Sequence, residues 1–344
     1  MELGIVSLSD IQLDPATGRP VPAERRLAEI IGYAELADTL GLDVFGLGEH
    51  HGADFAVSSP AVVLAAVAAR TSNIRLTSAV TVLSALDPVR VYEDYATLDL
   101  ISRGRAEVIV GRSAFVQPFG LFGIDTADYD AIFAEKLDLL LQLRAQPRLS
   151  WTGRFRPPII DSAIAPRARQ DPLPIQVGVG GTPASAQRAG RLGLPMVLGL
   201  IGGSIAHARR SVDIYREAGE RAGHADRLSV GISTHFFAGA APTAARDVFP
   251  YYQEYLRPKT PGGRGFHIDR AGFEAGTAPG NALMIGSTDE LITKLVLAHE
   301  ILGVDRVFGQ IDWGGMPRGL VQDSIARYAS EIAPAVRAAT NPVG

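Results

Sequence analysis

The 344-residue sequence predicts one α/β domain, a (β/α)8 TIM barrel spanning residues 1–344 with two insertions. Short apolar runs alternate with segments of helical period from one end of the chain to the other. Eight strand–helix units can be counted, and strict alternation calls for parallel strands joined by right-handed crossovers. A chain of this length buries about 75% of the surface its unfolded form exposes, so it needs no staples. The competing architecture is an open doubly wound sheet with a second domain.

The elements follow in order. Leu3–Leu8 reads as a buried strand. Glu24–Leu40 reads as a helix with Leu27, Ile30, Ile31, Ala34 and Ala37 on one stripe, stopped by Gly41. Val44–Leu47 is the second strand, and Ser58–Arg70 a helix capped by Ser58 or Ser59 with Pro60 at its first position. Ile74–Leu83 is a strand rich in β-branched residues, Pro88–Leu100 a helix, Ala106–Val110 a strand and Asp128–Leu143 a helix. In the second half, Ile175–Val179, Met196–Leu200, Leu228–Phe236 and Arg306–Ile311 are strands. Helices start at Pro183 and run over Ser204–Glu220, Asp289–Leu302 and Leu320–Ile332. Arg144–Pro174 and Ala238–Gly280 are rich in Pro, Gly and Arg without a clear period, and read as insertions in one barrel. The run Ala61–Ala69 is apolar all round, so its helix should be covered on both sides, by an insertion or by a second subunit. A homodimer through residues 58–70 is the expectation.

Composition removes several classes of function. Basic residues number 33 and acidic 37, a net charge of −4, with no Lys/Arg block, so neither nucleic acid nor an anionic membrane is an expected partner. Cysteine is absent, which excludes disulfides, thiolate nucleophiles, Fe–S clusters and zinc–sulfur sites, and suits a reducing cytoplasm. Ala61–Ala69 is too short to span a bilayer, and Met1-Glu2-Leu3-Gly4 lacks the features of a signal peptide.

In such a barrel, chemistry sits at the C-terminal ends of strands. Glu49-His50-His51 ends the second strand. Neighbouring residues point oppositely, so one histidine should face the mouth, where imidazole can donate or accept a proton. The bland alternative is a pair of loop histidines. The spacing does not match a His-Glu-x-x-His metal site, and no metal is expected. Gly178-Val179-Gly180-Gly181-Thr182-Pro183-Ala184-Ser185 follows the fifth strand. Its glycines admit close backbone approach, the helix start favours an anion, and Thr182 and Ser185 add hydroxyls: a phosphate cradle, or else a plain tight turn. Gly111-Arg112-Ser113 ends the fourth strand, where a guanidinium suits a phosphate or an internal carboxylate. Gly202-Gly203-Ser204-Ile205-Ala206 and Gly111-Arg112-Ser113-Ala114-Phe115 both miss the final glycine of a nucleophile elbow, against a serine hydrolase.

Several motifs in order resemble the bacterial luciferase-like flavin monooxygenases. They are Glu49-His50-His51, Pro60 with its alanine-rich helix, Asn73-Ile74-Arg75, Ser78-Ala79-Val80 and Asp87-Pro88-Val89-Arg90. Glu93-Asp94, Leu98-Asp99, Ser102-Arg103-Gly104-Arg105, Gly111-Arg112, Phe122-Gly123 and Gly193-Leu194-Pro195-Met196 continue the series. The similarity is ordered over residues 1–235 and weaker over 286–302 and 305–315. It implies a barrel carrying reduced FMN, supplied by a separate NAD(P)H:FMN reductase, that uses O2 to oxidise a small organic substrate. It implies that His50 is the reactive histidine, that Arg112 and the turn of Gly180, Gly181, Thr182 and Ser185 hold the phosphate, and that Glu49 and Ser78 lie by the flavin. It also implies a non-prolyl cis peptide at Ala79–Val80 under the ring. His51, Phe115 and Trp313 are the expected substrate-side residues, with Phe119 and Phe122 as further walls and residues 238–280 as a lid.

The family's light-emitting α-subunit carries glutamate and serine where this chain has Gly181 and Thr182, and cysteine where it has Gly111, so no luminescence is expected. Two other readings stay open: a relative that uses the deazaflavin coenzyme for hydride transfer, and a flavin-binding barrel without catalysis.

Overall fold

In the computed structural model, residues 1–11, 13, 17–113, 117–257 and 265–340 are described. The strands are β1 (Glu2–Ser7), β2 (Val44–Leu47), β3 (Arg75–Ser78), β4 (Thr81–Val82), β5 (Val108–Gly111), β6 (Arg148–Trp151), β7 (Ile159–Ala163), β8 (Ile175–Val179), β9 (Met196–Gly199), β10 (Val230–Ala238), β11 (Met284–Gly286) and β12 (Arg306–Gln310). The helices are α1 (Ala23–Thr39), α2 (Pro60–Ala68), α3 (Pro88–Ile101), α4 (Gln117–Leu121), α5 (Tyr129–Ala145), α6 (Pro183–Arg191), α7 (Ile205–Arg221), α8 (Pro242–Arg246), α9 (Phe249–Leu256), α10 (Arg270–Thr277), α11 (Thr288–Leu302), α12 (Arg318–Arg327) and α13 (Ala333–Thr340).

The main sheet runs β3-β2-β1-β12-β10-β9-β8-β5-β4 with parallel pairing. β3 and β4 are two pieces of one stave, and a Leu76–Ala106 bridge closes the ring toward β5. The predicted barrel is therefore observed, and the open doubly wound alternative is not. No helix of the described residues is long and apolar enough to cross a membrane.

Several expectations are corrected. The strand expected over Ile74–Leu83 breaks at Ala79–Val80, whose peptide bond is cis. The 144–174 insertion contains the antiparallel hairpin β6–β7, and the 238–280 insertion contains α8, α9 and α10. β11 adds a short parallel pairing to the end of β10. Ser59 stands at the α2 N-cap, but its side chain makes no capping hydrogen bond. Among the described residues neither insertion covers the outer face of α2: Val62 is 69% exposed, and Ala66 and Ala69 are exposed too.

The buried face of α1 is also rotated from the predicted stripe. It consists of Arg26, Ile30, Tyr33, Ala34 and Ala37, while Leu27 and Ile31 are half-buried. Arg26 is tolerated in the core because its charge is paired with Asp312 and Asp10 and its Nε and Nη2 donors are used. Its guanidinium donates to Asp312 Oδ2 at 2.6 Å and to the Asp10 carbonyl at 3.0 Å, tying the loops after β12 and β1 together.

Apolar packing has two compartments. The larger lies between sheet and helices. The smaller fills the barrel lumen with Val6, Val44, Ile109, Val197 and Phe308, and Leu8, Ala79 and Val80 pack against it. At the other end of the lumen Glu107 takes Arg75, Arg306 and, at 2.7 Å, the Gln176 amide. Burial opposes the Glu107 charge, yet Arg306 and Arg75 outweigh it and hold the carboxyl below its ordinary value.

Replacing Glu107→Gln leaves two guanidinium groups short of their shared partner and should cost about 3 kcal/mol in urea unfolding at pH 7. Because the folded-state value is depressed, this contribution exists above the unfolded carboxylate value of about 4.3 and fades as pH falls through the folded one. The stability difference should shrink as pH falls below about 4.3; equal stability at pH 7 would refute the account.

Candidate active site

The C-terminal end of β5 lies beside that of β8, because the 144–174 insertion contributes no stave between them. Arg112, directly after β5, therefore reaches the turn that opens α6. Its Nη2 donates to Ser185 Oγ at 2.9 Å and Thr182 Oγ1 at 3.3 Å, and Thr182 Oγ1 donates to Ser185 Oγ at 2.9 Å. The guanidinium lies over the Tyr129 ring, 5.0 Å from its centroid. Thr182 stands at the α6 N-cap with no side-chain capping bond, and Pro183 follows in the first turn. Gly181 adopts φ +89°, and a Cβ at Gly180 or Gly181 would meet open space. Two hydroxyls, a fork of N–H donors and a helix start thus converge on an accessible point, which is the chemistry of an anion site. The alternative partner is present as well: Arg112 Nη1 pairs with the Asp130 carboxylate.

Across the barrel mouth, the two histidines separate as expected. His50 stacks on Phe55 with ring centroids 4.0 Å apart and an interplanar angle of 16°. Burial pushes its imidazole down to about 4, although a hydrogen bond with the Leu8 backbone opposes the shift. The ring is therefore neutral at pH 7, so it offers one N–H donor and one acceptor nitrogen. His51 faces the other way: its Nε2 is 2.8 Å from Glu49 Oε1, and its ring meets Phe122 edge-on at 4.9 Å. The buried Glu49 accepts the Val82 N–H on Oε2 at 3.1 Å. Burial raises the Glu49 carboxyl, and the bonds from His51 and Val82 work against that rise. One carboxylate thus fixes both the histidine loop and the chain just past the break in the third stave.

Between these groups the floor is shaped by Val80. A Cβ at Gly111 would stand 2.5 Å from Val80 Cγ2, and one at Gly178 would stand 2.8 Å from Val80 Cγ1. Cysteine at position 111 would collide with this valine. Ser78, beneath the floor, donates to the Ile109 carbonyl at 2.9 Å. Ala79 and Val80 themselves are half-buried at the mouth.

Of the predicted site residues, Arg112, Thr182 and Ser185 form one hydrogen-bonded group, with Gly180 and Gly181 in the same turn. Glu49, His51 and Phe122 form another. Trp313 is 2% exposed and packs against Tyr252, its indole N–H donating to the Gln310 carbonyl at 2.9 Å. Phe119 is likewise buried, against Tyr129. Phe115 lies outside the described residues, as does 258–264 of the expected lid. Sequence reasoning missed Asp130, Arg188 and His235. His235, on β10, places Nδ1 2.9 Å from the Tyr252 hydroxyl, and burial pushes it down to about 4. A histidine among the strand residues Ser233, Thr234, Phe236 and Phe237 was the available signal. No group of three or more metal-binding side chains occurs among the described residues.

The family model of luciferase-like monooxygenases matches residues 1–305. A 4-hydroxyprotoasukamycin monooxygenase of Streptomyces nodosus subsp. asukaensis is 31% identical over 213 residues, covering 59% of this chain and 57% of that protein. Two F420-dependent glucose-6-phosphate dehydrogenases, from Amycolatopsis mediterranei and Kribbella flavida, are 28% identical over 48% and 55% of this chain, covering 51% and 56% of those proteins. The chain spans about half the length of the curated relatives it matches. Among solved structures, the monooxygenase RslO1 from Streptomyces bottropensis superposes with a TM-score of 0.82 at 25% identity, over 97% of this chain and 99% of that one. The FMN-bound oxygenating constituent of 3,6-diketocamphane monooxygenase from Pseudomonas putida shares the fold, with a TM-score of 0.77 at 19% identity over 98% of each chain.

His50 and His235 predict an acid limb to stability. Their folded values lie near 4 and the unfolded value near 6.5, so the unfolded chain binds more protons between these limits and stability falls as pH drops from 6.5 to 4. Each histidine contributes up to about 3 kcal/mol of that loss. Denaturant titrations at successive pH values should show a flatter limb for His50→Asn and for His235→Asn; an unchanged slope in both would remove the explanation.

Proposed function

The chain belongs to the luciferase-like monooxygenase family, and on that premise we propose that it is an FMN-dependent, two-component monooxygenase. The observation that carries the reading is the convergence of Arg112, Thr182 and Ser185 on one accessible point beside an opening among glycines. These residues fit a flavin 5′-phosphate, and the half-buried Ala79–Val80 segment fits the flat ring. Bound reduced FMN would supply electrons to O2 for insertion of one oxygen into a small organic substrate. A separate NAD(P)H:FMN reductase would provide that reduced flavin.

The protein's own groups divide the remaining work. Arg112, Thr182, Ser185 and the Gly180-Gly181 turn bind the phosphate. Ser78, Ala79 and Val80 support the ring, and Glu49 holds that support in place through Val82 N–H. His50, neutral at pH 7, offers its imidazole to hydrogen-bond the reacting oxygen or substrate. His51 and Phe122 border the substrate side, and the 238–280 insertion helps to exclude water. A cysteine-free chain suits the cytoplasm.

The F420-dependent relatives favour a second reading, hydride transfer with a deazaflavin coenzyme at the same site. Fluorescence titration of purified protein separates the two. Wild type should bind FMN, and Arg112→Ala should weaken FMN at least about tenfold while leaving riboflavin unchanged. His50→Ala should bind FMN normally yet lose substrate oxidation. Tight deazaflavin binding without FMN binding would overturn the first reading in favour of the second.

The apolar outer face of α2, with Val62 69% exposed, supports a homodimer through residues 58–70. Sedimentation at micromolar concentration should give a dimer that Val62→Glu converts to monomer. A wild-type protein that sediments only as monomer would contradict this.

A further inference from the structure

Two charged side chains at the phosphate turn have no role in the reading above. Asp130, in the first turn of α5, pairs with Arg112 Nη1 and lies 3.9 Å from Arg188 Nη2. The Asp130 side chain is 71% exposed, whereas those of Arg112 and Arg188 are 21% and 15% exposed. Arg188, on α6, lies over the Phe133 ring at 5.3 Å. Burial, and then the nearby Arg112, pull the Arg188 guanidinium below its ordinary value. Two cations therefore share one carboxylate on the open side of the turn.

We propose that Asp130 is a resident competitor for the flavin phosphate and that Arg188 is the second cation of that subsite. This rests on Arg112, Thr182 and Ser185 being the phosphate subsite. Arg112 does not need Asp130 for its position, because the Ser185 and Thr182 hydroxyls and the Tyr129 ring already hold the guanidinium. The carboxylate instead occupies Nη1, one of the two edges that a bidentate oxyanion uses. A phosphomonoester carries about −1.5 to −2 charge, more than the carboxylate it replaces. Asp130 is exposed enough to swing into water when displaced, so exchange needs no rearrangement of the barrel. Its charge stays close to the bound phosphate and weakens the net attraction. The ligand class is thus a phosphomonoester flavin, held more weakly than the same turn would hold it without Asp130.

The test is titration of wild type, Asp130→Asn, Asp130→Ser and Arg188→Gln with oxidised FMN and with riboflavin, read by quenching of flavin fluorescence. Both Asp130 variants should bind FMN about fivefold more tightly, and Arg188→Gln should bind it several-fold more weakly. None should change riboflavin affinity. Asp130 variants that bind FMN no more tightly than wild type, or that tighten riboflavin equally, overturn the competitor and leave the phosphate subsite standing. Arg188→Gln with wild-type FMN affinity removes Arg188 from the subsite. Wild type that binds FMN no better than riboflavin overturns the subsite and the competitor together.

Discussion

The close approach of Val80 to Gly111 and Gly178 is the constraint on which the upper half of the barrel depends. The lumen below is filled by Val6, Val44, Ile109, Val197 and Phe308, and Val80 packs down onto that plug. Its methyls then occupy the space where side chains of β5 and β8 would lie, so those strands carry glycine at 111 and 178. Because the third stave breaks to place Val80 there, something must hold the chain beyond the break, and Glu49 does so through Val82 N–H. The same carboxylate orients His51. Arg112 emerges directly from Gly111, which sets its reach to Thr182 and Ser185.

Charge is handled differently at the two ends. At the floor, Glu107, Arg75, Arg306 and Glu2 satisfy one another, and the network closes the lumen. At the mouth, Arg112 and Arg188 share one exposed carboxylate, so opposite charge is held loosely where a ligand can replace it. Burial of the carboxylate explains the contrast, Glu107 being buried and Asp130 exposed. A charge taken out of water demands full pairing, while a charge at the rim can exchange partners with solvent. Buried Arg26, with Asp312 and Asp10, belongs to the first kind and fastens two mouth loops to α1.

Much of this architecture is legible in the residues. The apolar runs mark every stave because the strands of a parallel barrel are covered on both faces. Ile175–Val179 and Val44–Leu47 are observed with the predicted bounds. Arg112 and the 181–185 turn are legible because glycine, hydroxyl and arginine at strand ends have few other uses. The break within Ile74–Leu83 follows from no period, and only the family resemblance pointed to Ala79–Val80. Trp313 reads as a pocket wall by position; that Tyr252 and Tyr255 from the long insertion pack against it is something sequence does not show.

By itself, then, the sequence determined what repeats or is dictated locally: eight strand–helix units, the glycine turn, the absence of thiol chemistry and the histidine pair. The tertiary structure alone decided which distant groups meet. Asp130 lies 18 residues from Arg112, and helical period says which face of α5 it shares but not that this face looks onto the end of β5. Arg26 reads as a surface residue until Asp312, 286 residues away, is brought beside it. The reason is physical: periodicity is set by backbone geometry within a few residues, whereas the partner of a charge is set by how the closed barrel returns the chain to its own beginning.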